Sequence, residues 1–216
     1  MDPAAIVFDL DGVLVDSERV WDSVRQQVVA DRGGHWPAEA TTAMQGMSTP
    51  EWAAYLAGLI GGGDPEELAK QVVAAMADRY REQVPLLPGA VDAVRALAGR
   101  WPLAVASSSP PELIRVVLAA AGVADRFRVT VSSEEVARGK PAPDVYLAAA
   151  ERLGVDPTAC VAIEDSANGL RSAAAAGMTV VAVPNPHFPP PADALALARA
   201  TVDTPAGLTV ELVDQL

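Results

Sequence analysis

The chain opens on an unbroken apolar run, Ala4-Ala5-Ile6-Val7-Phe8, that stops at Asp9, with a second carboxylate at Asp11 and then Gly12. Short apolar runs bounded by such punctuation predict buried strands. Comparable runs recur at Leu103–Ala106, Val129–Val131, Ala159–Ile163 and Thr179–Val183. Between them, apolar residues return with helical spacing over Ala90–Gly99, Glu112–Ala121, Pro143–Leu153 and Ser166–Ala176. Strand alternating with helix predicts an α/β fold, a Rossmann-like parallel sheet with helices on both faces.

Residues 17 to about 85 interrupt that alternation. They hold helical stretches at Glu18–Asp31, Thr49–Leu59 and Pro65–Gln83 but no clear strand, and Gly61-Gly62-Gly63 reads as a turn between two of them. The expected organisation is a catalytic α/β core of residues 1–15 and 86–216, with an all-helical domain, residues 16–85, inserted after the first strand. The connections near Val15-Asp16 and Pro85–Gly89 would form a hinge, with Ser17 capping the helix that follows. The proline-rich stretch Pro184–Pro191 reads as an extended surface loop.

Composition narrows the function classes. The 216 residues are half apolar, enough for a substantial core, and the formal net charge is −12. An acidic chain gains nothing from phosphate backbones or anionic lipid, so nucleic-acid and membrane partners are disfavoured. No apolar run is long enough to span a bilayer, and no basic region precedes the first apolar stretch as it would in a secretory signal. A single cysteine, Cys160 in an apolar run, excludes an internal disulfide and suits a reducing, cytoplasmic setting. The two histidines, His35 and His187, have no metal-ligand spacing. Monomer is the expected state.

The candidate chemistry lies just beyond the strand-like runs. Residues two apart in a strand share a face, so Asp9 and Asp11 can reach one site at its carboxyl end. Adjacent negative charges there are costly unless a cation or a proton offsets them. That pattern fits a metal site or an acid/base pair; solvated turn residues are the plainer alternative. Ser107-Ser108-Ser109, Arg138-Gly139-Lys140-Pro141 and Glu164-Asp165-Ser166 stand at equivalent places near other strands or helix starts. In open α/β sheets ligands bind outside the carboxyl ends of the strands, so these residues are expected to converge.

The segments Asp9-Leu10-Asp11-Gly12-Val13-Leu14, Ala106-Ser107-Ser108-Ser109, Gly139-Lys140-Pro141-Ala142-Pro143-Asp144 and Glu164-Asp165-Ser166-Ala167-Asn168-Gly169 carry a resemblance. In order and spacing they resemble the haloacid dehalogenase-like hydrolase superfamily, on the branch of β-phosphoglucomutase and small phosphosugar phosphatases. The resemblance implies a phosphomonoester hydrolase acting on a small phosphorylated metabolite, with a sugar phosphate as the expected class. It implies Asp9 as the nucleophile that becomes an aspartyl phosphate. Asp11 would be the acid that protonates the leaving alcohol and the base that then deprotonates water. Ser107, Ser108 and Lys140 would hold the transferring phosphoryl group. Mg²⁺ would be held by Asp9, Asp11 through its backbone carbonyl, Asp165 and, directly or from outside, Glu164. Ser166 would cap the following helix.

By the same resemblance the helical insert is a mobile cap that excludes water and presents specificity residues. Candidates are Gln45, Gly46, Met47 and Ser48, with Trp21 either a substrate platform or a core aromatic. The chain departs from the mutase pattern. Trp21 stands where the mutase has a cap histidine, Thr49 where it has an arginine, and Met76 at the cap lysine position. Hydrolysis is therefore expected ahead of mutase activity. A dehalogenase is disfavoured because Asp11 is present. A non-catalytic phosphate- or metal-binding regulatory module is the remaining alternative.

Overall fold

The computed structural model describes residues 3–44, 47, 49–186 and 189–216. Gln45, Gly46, Ser48 and His187 lie outside the described residues. The chain divides into two compact units, Met1–Asp16 with Val84–Leu216, and Ser17–Gln83.

The first unit is built on a six-stranded sheet in the order β3-β2-β1-β4-β5-β6. Its strands are β1 Ala5–Phe8, β2 Leu103–Ser107, β3 Phe127–Ser132, β4 Cys160–Glu164, β5 Thr179–Ala182 and β6 Ala200–Thr201. All pairings are parallel. β1 is central, with Phe8 aligned to Val105 of β2 on one side and to Ile163 of β4 on the other. Every residue of β1, β2 and β4 is buried, which is why these strands read as continuous apolar runs without alternation.

Burial on both faces does not make the two faces alike. Ala5, Val7, Ala104, Ala106, Ala162, Val180 and Ala182 join one buried cluster with Val145, Tyr146, Ala149, Leu170 and Ala173. These last residues belong to helices α7, Asp144–Leu153, and α8, Ala167–Ala175. Alanine on the strands leaves room for the helices to approach closely. The alternate positions Ile6, Phe8, Leu103 and Val105 are large and equally buried. Phe8 meets Phe127 edge to face at 5.8 Å between ring centres. Helices α5, Ala90–Ala98, and α6, Pro111–Ala120, complete the larger helical elements of this unit.

The second unit holds α1 Glu18–Asp31, α2 Ala40–Ala43, α3 Thr49–Leu59 and α4 Pro65–Glu82. It packs through Val24 of α1, Trp52 and Leu56 of α3, and Leu68, Val72 and Met76 of α4, all buried at helical spacing. Asp64 caps α4 by accepting from the Glu66 amide, with Pro65 in the first turn. Ser17 occupies the N-cap of α1 but makes no side-chain capping bond, unlike the expected cap. The connecting segments lie side by side within the first unit. Val15 bridges Leu86, and the Asp16 amide donates to the Pro85 carbonyl at 2.9 Å.

Four short elements have no counterpart in the apolar pattern: α2, β6, α9 Ala192–Leu195 and α10 Val210–Asp214. None is long enough for a period to declare itself. No described helix is long and apolar enough to cross a membrane.

The small-residue face generates a stability prediction. Ala104→Leu is expected to cost about 1–3 kcal/mol by overpacking, lowering the thermal midpoint by several degrees. Leu147→Ala, on the 40 % exposed Leu147, is expected to stay within about 0.5 kcal/mol. Denaturant unfolding of both variants measures the contrast, and equal losses would remove the close-packing argument.

Candidate active site

Strand order reverses between β1 and β4: β2 and β3 lie to one side of β1, and β4, β5 and β6 to the other. The carboxyl ends of β1 and β4 flank the crevice that such a reversal opens. Asp9 is the first residue beyond β1, its amide donating to the Ile163 carbonyl at 2.9 Å. Ser107 ends β2, Glu164 ends β4, and Asp165 follows it. Lys140 arrives from the segment before α7.

The Lys140 ammonium is the hub. It donates to Asp9 Oδ1 at 2.7 Å, to Glu164 Oε1 at 2.5 Å and to the Ala106 carbonyl at 3.0 Å. Its side chain is 6 % exposed, against 8 % for Asp9 and 0 % for Glu164, so water takes little part in solvating these charges. Tyr146 closes the far side: its hydroxyl donates to Glu164 Oε1 at 2.7 Å, and the ammonium sits 5.0 Å from its ring centre. Glu164 Oε2 accepts from the Asp165 amide at 3.1 Å, the Ser166 amide at 3.3 Å and the Ser166 hydroxyl at 3.2 Å. Both Glu164 oxygens are thus committed to protein donors. Glu164 is placed to anchor Lys140 and the following loop.

Two glycines allow this crowding. A Cβ on Gly169 would fall 1.9 Å from the Glu164 carboxyl oxygens, and one on Gly12 would fall 1.9 Å from Asp165 Oδ2. Gly12 also has φ +78°, a backbone state that side chains disfavour. Ser166 caps α8, accepting from the Gly169 amide at 3.1 Å.

Asp11 stands apart from this hub. Its Oδ2 accepts from the Ser109 hydroxyl at 2.6 Å, with Ser107 Oγ at 3.4 Å. The Ser109 amide donates to Ser107 Oγ at 3.0 Å, and its carbonyl accepts from the Ser132 hydroxyl at 2.8 Å. Ser107 and Ser109 are buried, while Ser108 between them is exposed.

Electrostatics follow from burial. Burial, reinforced by the Glu164 and Asp11 charges and opposed by Lys140, pushes the Asp9 carboxyl up from 3.8 to about 8. Burial and the Glu164 and Asp9 charges likewise hold Asp165 well above its ordinary value. Burial alone would depress Lys140, but its ion pairs with Asp9 and Glu164 outweigh it and keep the ammonium charged. Tyr146 is raised well above 10.0 by burial and by Glu164, so it remains a donor. One oxygen from each of Asp9, Glu164 and Asp165 lies within 4.8 Å of the others. Three carboxylates meet one ammonium there, and the donors are hard oxygens. The set fits a divalent cation of the oxygen-preferring kind.

Trp21 belongs to the helical unit. Its ring lies 6.2 Å from that of Trp52, and the Arg25 guanidinium sits 4.8 Å and 4.9 Å from the two rings. Met47 is half-buried in the same unit. Cys160 is buried and its thiol is pushed up to about 11 by burial, in keeping with an inert structural role. Tyr146 and Ser132 are not marked by the sequence pattern, and Ser109 is included there without a role of its own. Tyr146 sits on the buried stripe of α7 with Val145 and Ala149, where the pattern reports only an apolar position. Ser109 was visible in the serine run but indistinguishable from its neighbours.

A family described as haloacid dehalogenase-like hydrolase matches residues 3–177. The fructose-1-phosphate phosphatase YqaB of Escherichia coli K12 is 34% identical over 181 residues, 83% of this chain and 96% of that protein. Hexitol phosphatase B of the same organism is 37% identical over 191 residues, 85% of this chain and 84% of that protein. The crystal structure of CbbY from Rhodobacter sphaeroides in complex with phosphate superimposes with a TM-score of 0.84 at 25% identity, covering 98% of this chain and 99% of that one. With four motifs placed around one crevice and a match over most of its length, this chain belongs to the haloacid dehalogenase-like hydrolase family.

Proposed function

We propose that this protein is a Mg²⁺-dependent phosphomonoester hydrolase that works through an aspartyl phosphate on Asp9. The observation that carries the reading is the buried Lys140 ammonium on Asp9, at the mouth of the β1/β4 crevice. An acidic protein that binds an anion needs fixed local positive charge, and Lys140 supplies it beside the reacting carboxylate. The phosphatase names of both Escherichia coli relatives support this reading, and they favour a hexose or hexitol phosphate as substrate.

The chemistry balances in two steps. An Asp9 oxygen attacks phosphorus, and the bond from phosphorus to the ester oxygen breaks as Asp11 gives that oxygen a proton. Water then attacks the aspartyl phosphate and passes a proton to Asp11. Inorganic phosphate leaves, and the Asp9 carboxylate is restored. Lys140 and the Ser107 hydroxyl orient the phosphoryl oxygens and offset their charge. Asp9 and Asp165, with the Asp11 backbone carbonyl, would hold Mg²⁺, while Glu164 supports from behind. A bound ion supplies charge neutralisation that Lys140 alone cannot. Residues 16–85 would serve as the cap domain that sets specificity, with Trp21, Gln45, Gly46, Met47 and Ser48 as its candidate contacts.

The expected result is Mg²⁺-dependent phosphate release from 4-nitrophenyl phosphate and from hexose and hexitol phosphates, abolished by excess chelator. Asp9→Asn should lower kcat by at least about 10³-fold with unchanged thermal unfolding. A folded wild type that releases no phosphate from any of these esters with Mg²⁺ present would defeat the reading.

Metal binding should also appear in stability. The folded-state value of Asp9, about 8, lies above its ordinary 3.8, so without metal the folded state binds more protons than the unfolded state between these limits. That contribution is fully present below the ordinary value and is lost as pH rises through about 8. Mg²⁺ favours the ionised carboxylates. The rise in thermal midpoint on adding Mg²⁺ should therefore be larger near about pH 8.5 than near about pH 6. A rise independent of pH would separate the ion from the Asp9 carboxyl.

A further inference from the structure

We propose that Ser109 is the positioning residue for Asp11, fixing which carboxyl oxygen serves the leaving group. The inference rests on the hydrolase reading above, in which Asp11 exchanges a proton with the substrate. Ser109 is 5 % exposed and its hydroxyl donates to Asp11 Oδ2 at 2.6 Å, a short and direct bond. Ser107 Oγ lies farther away, at 3.4 Å, and is already an acceptor for the Ser109 amide at 3.0 Å. Ser109 therefore carries the orienting bond, and Ser107 remains available to the phosphoryl group.

The Ser109 hydroxyl is itself a fixed point. Its amide is tied to Ser107 Oγ, and its carbonyl is tied to the Ser132 hydroxyl at the end of β3 at 2.8 Å. The next residues are Pro110 and Pro111, and a following proline narrows the backbone choices of the residue before it. A stiff segment, anchored at both its amide and its carbonyl, thus presents one donor to one oxygen.

The chemical consequence is specific. A serine donor on Oδ2 is compatible with Asp11 as an acid or as a carboxylate, because in both states Oδ2 acts as acceptor. The exchangeable proton is then confined to Oδ1. Proton delivery to the ester oxygen becomes a matter of orientation already settled before the substrate arrives. Without Ser109 the carboxyl can rotate, and only part of its population presents the proton correctly.

The test separates leaving groups. Alkyl alcohols need a proton as they depart, whereas the 4-nitrophenyl oxide leaves without one. Wild type, Ser109→Ala and Ser109→Thr would be compared by kcat/KM on 4-nitrophenyl phosphate and on the best hexose or hexitol phosphate of a panel. Ser109→Ala should lose about 10- to 100-fold on the alkyl ester and less than about 3-fold on the aryl ester. Ser109→Thr, which keeps the hydroxyl, should restore most of the alkyl activity. Equal losses on both esters, or a change confined to KM, would overturn the assignment in favour of a structural or substrate-contact role. A wild type that cleaves only the aryl ester would overturn it as well. A wild type that cleaves neither would defeat the hydrolase reading and the assignment together, an outcome distinct from the others.

Discussion

A buried ammonium with two carboxylates on it organises this molecule. Lys140 is anchored to Asp9 and Glu164 where solvent scarcely reaches, and each partner comes from a different part of the chain. Removing one member of such a group leaves an uncompensated buried charge, at a cost of about 3–5 kcal/mol. The cluster therefore ties β1, β4 and the segment before α7 to one geometry. Glu164 holds the arrangement from below, with Tyr146 and the Ser166 loop occupying its remaining acceptor sites. Burial and mutual repulsion raise Asp9 and Asp165, a penalty that a bound cation would relieve. Position and charge are settled by the same contacts.

The sheet topology explains why these groups meet at all. Strand order reverses at β1/β4, so the helices on either side of that point diverge and leave a crevice. Asp9 and Glu164 stand level at its lip, since Phe8 aligns with Ile163 and each carboxyl residue follows directly. The alanine-rich face beneath lets α7 sit close enough for the Tyr146 hydroxyl to reach Glu164. A bulkier strand face would push the helix, and with it the hydroxyl, away. Packing several residues from the crevice thus bears on its electrostatics.

Much of this was legible in the residues. The buried strands of a parallel sheet appear as apolar runs because both faces are covered, and β1, β2, β4 and β5 were visible for that reason. The polar residues that end those runs point to the carboxyl edge of the sheet. What escaped was of two kinds. Four-residue helices such as α2 and α9 and the two-residue β6 carry too few positions for a period. Polar tips on apolar-looking residues carry no signal either: Tyr146 reads as core, and it is core, except for one oxygen. Ser108 and Ser109 differ only in which way the chain turns after β2, which no local pattern encodes.

Asp9 and Asp11 illustrate how two like carboxyls two residues apart can stand in different surroundings. Strand alternation suggests that they share a face, but β1 ends at Phe8 and both carboxyls stand on the loop beyond it. Their partners are nevertheless disjoint. Asp9 is buried against an ammonium, while Asp11 is half-exposed and faces hydroxyls. A carboxylate held on a fixed cation is suited to remain in place and form a bond. One held by a neutral donor is suited to exchange a proton. Under the proposed mechanism, two identical side chains two residues apart would acquire different chemistry from what surrounds them, Lys140 for one and Ser109 for the other.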